Sequence, residues 1–145
     1  LCVRFNVWWT LANMTGGPYP ITACGADTQL VFPTEFFDQG SNYSTGVSRF
    51  TAPVDGVYLI SVRVLLTDIV LDNDTNVKIY LNGAPSVTIG TLNTFRVQSL
   101  GEYMFSASQL MGLTTGDEVK IFASVNMAAF VCNADGGRFT GVLLC

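Results

Sequence analysis

The chain has 145 residues, seven basic and eleven acidic side chains, and no histidine, for a net charge of −4. Without a stripe of Lys or Arg to track a phosphate backbone, neither nucleic acid nor an anionic membrane is an expected partner. The missing histidines remove the commonest general base and metal ligand, which excludes Ser-His-Asp, Cys-His and zinc-hydrolase schemes.

The length fits one domain, 1–145, able to bury a sizeable core. Hydrophobic residues make up 49% and charged residues only 12%, half the globular norm of about 25%. That deficit predicts that partners cover part of the surface. Arg63 and Asp68 break the longest apolar stretch, residues 57–71, so membrane insertion is not expected. The chain starts at Leu1 without an initiator Met or a signal-like segment, so processing or a longer parent chain is expected.

In chain order, Val3 to Thr10 reads as a strand, the Gly16-Gly17-Pro18 cluster as a loop, and Leu30 to Phe37 as a strand that Pro33 marks as an edge or a break. Gln39 to Thr45 reads as a polar loop. Ser48 to Thr51 is a short strand before the turn residues Pro53 and Asp55-Gly56. Val57 to Leu66 is the longest predicted strand, with Val57, Leu59 and Leu65 on one face and Tyr58, Ile60, Val62, Val64 and Leu66 on the other. Two apolar faces place it centrally in a sandwich or against a neighbouring subunit. Arg63 interrupts this strand, and its charge needs a partner or water.

Asp72-Asn73-Asp74 reads as a turn. Val77 to Leu81 and Val87 to Leu92 form a hairpin around Asn82-Gly83, the strongest such signal in the chain. Phe95 to Leu110 predicts one or two strands, Val119 to Val125 another after the Gly116-Asp117 turn, and Arg138 to Leu144 a last one after Gly136-Gly137. No amphipathic helix is present. The expected class is all-β, nine to ten strands in a two-sheet sandwich.

Cys2, Cys24, Cys132 and Cys145 lie too far apart for a zinc-type or redox Cys-x-x-Cys pair. Three complete disulfide pairings and free thiols stay open. Carboxylates at Asp72, Asp74, Asp117 and Glu118 sit in turn-like segments, where turn chemistry outweighs a catalytic reading. Asp68, Asp72, Asp74, Asp117 and Asp135 offer oxygen atoms, but none of their spacings makes a calcium loop, and no metal or other cofactor is expected. Asn13, Asn42 and Asn73 head glycosylation sequons that matter in a secretory host. Of the Trp8-Trp9 pair near Phe5, one ring belongs in the core and the other packs on a neighbour or stacks on a sugar.

The spacing of Phe32, Asp38, Tyr43, Phe50, Gly56 and Tyr58 resembles the signature of the complement C1q globular head, a branch of the tumour-necrosis-factor-like superfamily. Leu113-Thr114-Thr115-Gly116-Asp117-Glu118-Val119 is similar to the family's Leu-x-x-Gly-Asp-x-Val turn. Arg138-Phe139-Thr140-Gly141-Val142-Leu143-Leu144 is similar to its closing strand. The likeness covers Gln29 to Leu144 and leaves residues 1–28 outside the motifs. It departs where Ile60 and Val62 replace aromatics and Val142 replaces a Phe, and no collagen-like run is present. The resemblance implies a ten-stranded jelly roll assembled as a homotrimer. Within it the signature residues, Gly116, Asp117, Phe139 and Gly141 included, serve as family core, and Tyr58, Phe139 and Leu143 lie in or near the subunit-facing sheet as contacts, the alternative being that they fill only the subunit's own core, where strand aromatics usually belong.

Two functions follow as expectations. The first is a non-enzymatic structural and adhesive module, the trimeric head of a virion appendage or surface fibre. It would join other structural subunits and contact a host-surface glycan or protein, outside the cell or on the virion surface. The second is a secreted C1q-like recognition or signalling protein that binds a receptor or glycan. An enzyme acting on a surface polysaccharide is a distant third.

Overall fold

The computed structural model describes residues 3–10, 19–21, 27–69, 74–93, 101–125 and 132–144. Among them are twelve strands: β1 (Arg4–Thr10), β2 (Tyr19–Ile21), β3 (Thr28–Gln29), β4 (Thr34–Gln39), β5 (Tyr43–Ser44), β6 (Arg49–Thr51), β7 (Gly56–Ile69), β8 (Asp74–Leu81), β9 (Ala84–Asn93), β10 (Gly101–Leu113), β11 (Glu118–Val125) and β12 (Cys132–Leu144). One sheet runs β10-β7-β12-β1-β4, with β2 on β12; the other runs β5-β6-β11-β8-β9, with β3 on β11. All described pairings are antiparallel. The two sheets face each other as a jelly-roll sandwich.

The core between them is built by strand alternation. Tyr58, Ile60, Val62 and Val64 of β7 are buried, as are Phe5 and Val7 of β1 and Phe139 of β12. From the other sheet come Phe50, Val77, Ile79, Val119, Ile121 and Ala123. Aromatic rings hold the centre: Phe5 stacks on Phe50 at 4.5 Å and meets Phe139 edge-on at 4.9 Å, and Phe139 reaches Phe32 at 5.6 Å. Such pairs add to the burial free energy of large side chains.

The structure departs from the sequence reading in three places. The strand expected from Leu30 to Phe37 starts late, because β4 begins only at Thr34, just after Pro33. Leu30 and Phe32 are nonetheless fully buried, because Leu30 N donates to Ile121 O at 2.8 Å and Phe32 N to Ser48 Oγ at 2.8 Å, which satisfies the backbone without a ladder. The loop over 39–45 contains β5, which pairs Tyr43 with Phe50. Gly136-Gly137 lies inside β12 rather than before it, with a register shift between Ala134 and Gly136. Such a bulge absorbs an extra residue without ending the strand.

The Asn82-Gly83 turn is as expected. Asn82 and Gly83 have φ of 52° and 82°, and the flanking Leu81 and Ala84 pair directly. Two residues with positive φ match the twist of a two-residue hairpin.

Candidate functional site: an open sheet face beside a stapled turn cluster

The outward face of the β10-β7-β12-β1-β4 sheet carries residues that a closed core would normally keep. Val57, Met104, Leu110 and Leu144 are 46%, 47%, 55% and 45% exposed. Register makes them one surface: Val57 lies opposite Leu144 on β12, and Leu59 lies between Leu110 on β10 and Val142 on β12. Further along, Ser61 Oγ and Ser108 Oγ share a hydrogen bond of 2.7 Å, and Arg63 Nε donates to Met104 Sδ at 3.1 Å. Towards β4 the face continues through Asn6, whose buried Oδ1 accepts no hydrogen bond from the described residues, and Phe37, its cross-strand neighbour.

Beside Phe37, an open pocket of about 370 Å³ is lined by Arg4, Phe37, Asp38 and Gln39. Its polar groups are committed only in part, because the buried Asp38 Oδ1 accepts no hydrogen bond from the described residues. Arg4 Nε donates to Gln39 Oε1 at 2.9 Å, and Asp38 Oδ2 accepts from Tyr43 N at 2.7 Å. No nucleophile and base meet there. Phe36, on the β4 edge, is 73% exposed and packs edge-on against Phe37.

At one end of the sandwich, three turns are stapled to one another. Asp55 Oδ1 accepts from Thr115 N and Oγ1 at 2.7 and 2.8 Å. Asp117 Oδ2 accepts from Thr114 N and Oγ1, and Asp117 Oδ1 from Asn82 Nδ2 at 2.8 Å. Glu118 N donates to Asn82 Oδ1 at 2.9 Å, and the Glu118 carboxylate pairs with Arg49 at 2.7 Å. The Thr115 backbone and hydroxyl hold Asp55 below the ordinary carboxylate value, and the Asn82 amide with the Thr114 backbone does the same for Asp117. These acids are ionised clamps, the reverse of a carboxyl tuned upward to give a proton. Among the described residues no group of three or more Cys, Asp or Glu side chains is placed to hold a metal ion.

Of the residues singled out from the sequence, Phe32, Tyr43, Phe50, Tyr58, Phe139 and Gly141 are buried. Burial pushes the Tyr43 phenol well above its usual value. Asp38, Gly56, Gly116 and Asp117 are not core: they shape turns and strand starts at or near the surface. Gly116 has a φ of 93°, which favours glycine.

The expectation that Tyr58, Phe139 and Leu143 face a neighbouring subunit is corrected. Tyr58 and Phe139 are completely buried in this chain's own core, and Leu143 packs half-buried on the same core. Side chains alternate along a strand, so the outward positions are theirs plus or minus one: Val57, Leu59, Arg138, Thr140, Val142 and Leu144. Met104 and Leu110 of β10 were not singled out. The alternation of Met104, Ser106, Ser108 and Leu110 was the available signal. Asn42 is half-buried and its amide donates to Gln39 O at 3.2 Å. Asn13, Asn73, Cys2, Cys24 and Cys145, the Asp72-Asn73 part of the proposed turn, and the side chains of Trp8, Trp9, Asp68, Asp74, Cys132 and Asp135 lie outside the described residues.

The fold and this open face define a jelly-roll sandwich of the C1q/TNF-like class. The chain belongs to the C1q domain family, whose model matches residues 19–144. It is similar to the globular domain of zebrafish complement 1qA protein, with a TM-score of 0.66 and 17% identity over 99% of this chain and 98% of that one. It is similar also to murine APRIL, with a TM-score of 0.63 and 14% identity over 99% of this chain and 100% of that one. At these identities the likeness shows the fold alone. No curated protein matches the chain in sequence. Domains of this class are generally non-enzymatic binding modules, typically extracellular or secreted. Among the described residues no helix is long and apolar enough to cross a membrane.

Proposed function

We propose that this chain is a non-enzymatic structural and binding module. It closes into a homotrimer on the outward face of the β10-β7-β12-β1-β4 sheet and forms the head of a virion appendage or surface fibre that contacts a host-surface glycan or protein. The observation that carries the reading is the contiguous apolar surface of Val57, Leu59, Leu110, Val142 and Leu144. Apolar surface removed from water stabilises at about 25 cal/mol per Å², and patches of this kind on a small domain mark contacts. A closed three-fold ring covers such a face on every copy without leaving an open end. It also aligns three copies of each loop, so weak individual contacts with a surface combine through avidity. Other structural subunits would hold the assembly in place.

Sedimentation equilibrium tests the assembly. The expected mass at micromolar concentration is about three times the 15.6 kDa chain, and a stable monomer overturns the reading. Asn42, partly accessible within a sequon, favours the second reading, a secreted recognition protein. The intact mass of native material separates the two: an unmodified Asn42 supports the appendage, and a glycan on it supports the secreted protein.

A further inference from the structure

Arg63 and Arg138 lie directly opposite one another on β7 and β12, both exposed on the outward face. Like charges in directly opposed cross-strand positions repel. The chain is acidic overall, with eleven carboxylates for seven cations, yet among the described residues neither arginine has a carboxylate partner. The ion pairs of the described residues use Arg49 with Glu118 and Lys78 with Asp27, while Arg63 donates to the Met104 sulfur.

The surroundings are equally one-sided. Ser106 stands opposite Arg63 on β10. One pleat along are Ser61, Ser108 and Thr140, with Thr140 Oγ1 donating to Ser61 O at 3.5 Å. The described outward side chains of β7, β10 and β12 include no carboxylate. Guanidinium forks flanked by hydroxyl donors match the oxygens of a tetrahedral oxyanion.

We propose that this pair binds a phosphate-type oxyanion on the three-fold axis of the trimer, an inference that rests on the assembly proposed above. The two arginines sit mid-strand in the centre of the face that closes. Three copies gather three such pairs in a place that water leaves. Arginine keeps its charge there, and buried like charges without a counter-ion are costly. One anion shared by the three chains offsets part of the cluster's positive charge and links the subunits.

The test is titration of the full chain with inorganic phosphate against chloride at matched ionic strength, following Tm and heat of binding, with sedimentation in the same buffers. The expected result is a saturable rise in Tm of about 3 °C or more, with about one phosphate per three chains. Arg138→Gln and Arg63→Gln should each abolish it while remaining trimeric. A trimer with no phosphate response, as when a neighbour's carboxylate already pairs the arginines, overturns the anion site and leaves the assembly standing. So does a response that survives in both variants. A monomer in all buffers overturns the assembly and the anion site with it.

Discussion

Gly141 lies directly opposite Phe5 across β12 and β1, and the aromatic ring covers it so closely that no side chain fits. A Cβ at 141 would overlap Phe5 Cε1 and come within 2.9 Å of Phe5 Cζ and 3.1 Å of Ile60 Cδ1. Phe5 cannot retreat, because Phe50, Tyr43 and Phe139 pack around it. Gly141→Ala should therefore destabilise by about 1–3 kcal/mol through overpacking, read as a lower urea midpoint at unchanged slope. Gly56→Ala, whose Cβ would meet only the mobile Cδ1 end of Leu143 at 2.5 Å, should cost less. Equal costs would contradict this account of the core.

The turn staples make stability depend on acid. Asp55 and Asp117 are held below 3.8 in the folded chain, by the Thr115 backbone in one case and the Asn82 amide in the other. A depressed folded value means that the stabilisation is fully present above the unfolded value and is lost as pH falls through the lower folded one. Tm should stay level on acidification until pH approaches about 4 and then decline. Asp117→Asn should lower Tm at neutral pH and shrink the acid-dependent fall, which a thermal series from neutral to acid pH would show.

Tyr80 donates to Asp27, which also pairs with Lys78 at 2.8 Å, and stacks on Phe122 at 3.9 Å. The hydrogen bond to Asp27, aided by partial burial and the carboxylate's charge, pushes the Tyr80 phenol up to about 12. Alkaline titration followed by tyrosinate absorbance should show one phenol moving back towards 10 in Asp27→Asn. An unchanged titration curve would remove Asp27 as the cause.

Turns were the most legible part of the chain. Asn82-Gly83 and Gly116-Asp117 each stand where the sequence puts them, because positive φ and carboxylate capping are local demands. The two faces of β7 were legible as well, from Tyr58, Ile60, Val62 and Val64 against Val57, Leu59 and Leu65. Which face turned inward was not, since both are apolar and only the opposing sheet decides. The family resemblance, not this strand's pattern, named Tyr58 and Phe139 as contact residues, and both turn into this chain's own core while Val57, Leu59, Arg138 and Thr140 take the outward positions. Gly136 and Gly137 lack side chains to report a pleat, so a strand interior read as a break. The Arg63–Arg138 pairing depends on register between strands far apart in the chain, which no local pattern records.

The central claim is that assembly uses the outward face of the β10-β7-β12-β1-β4 sheet. Native mass spectrometry of the unaltered chain beside Leu110→Glu and Leu144→Glu tests it directly. Both residues are about half exposed and lie outside the buried core, so the variants should stay folded. The account predicts about three times the chain mass for the unaltered protein and monomers for both variants, because each trimer would gather three like charges in an apolar contact. Trimers that persist in both folded variants, or a monomeric parent, would contradict it.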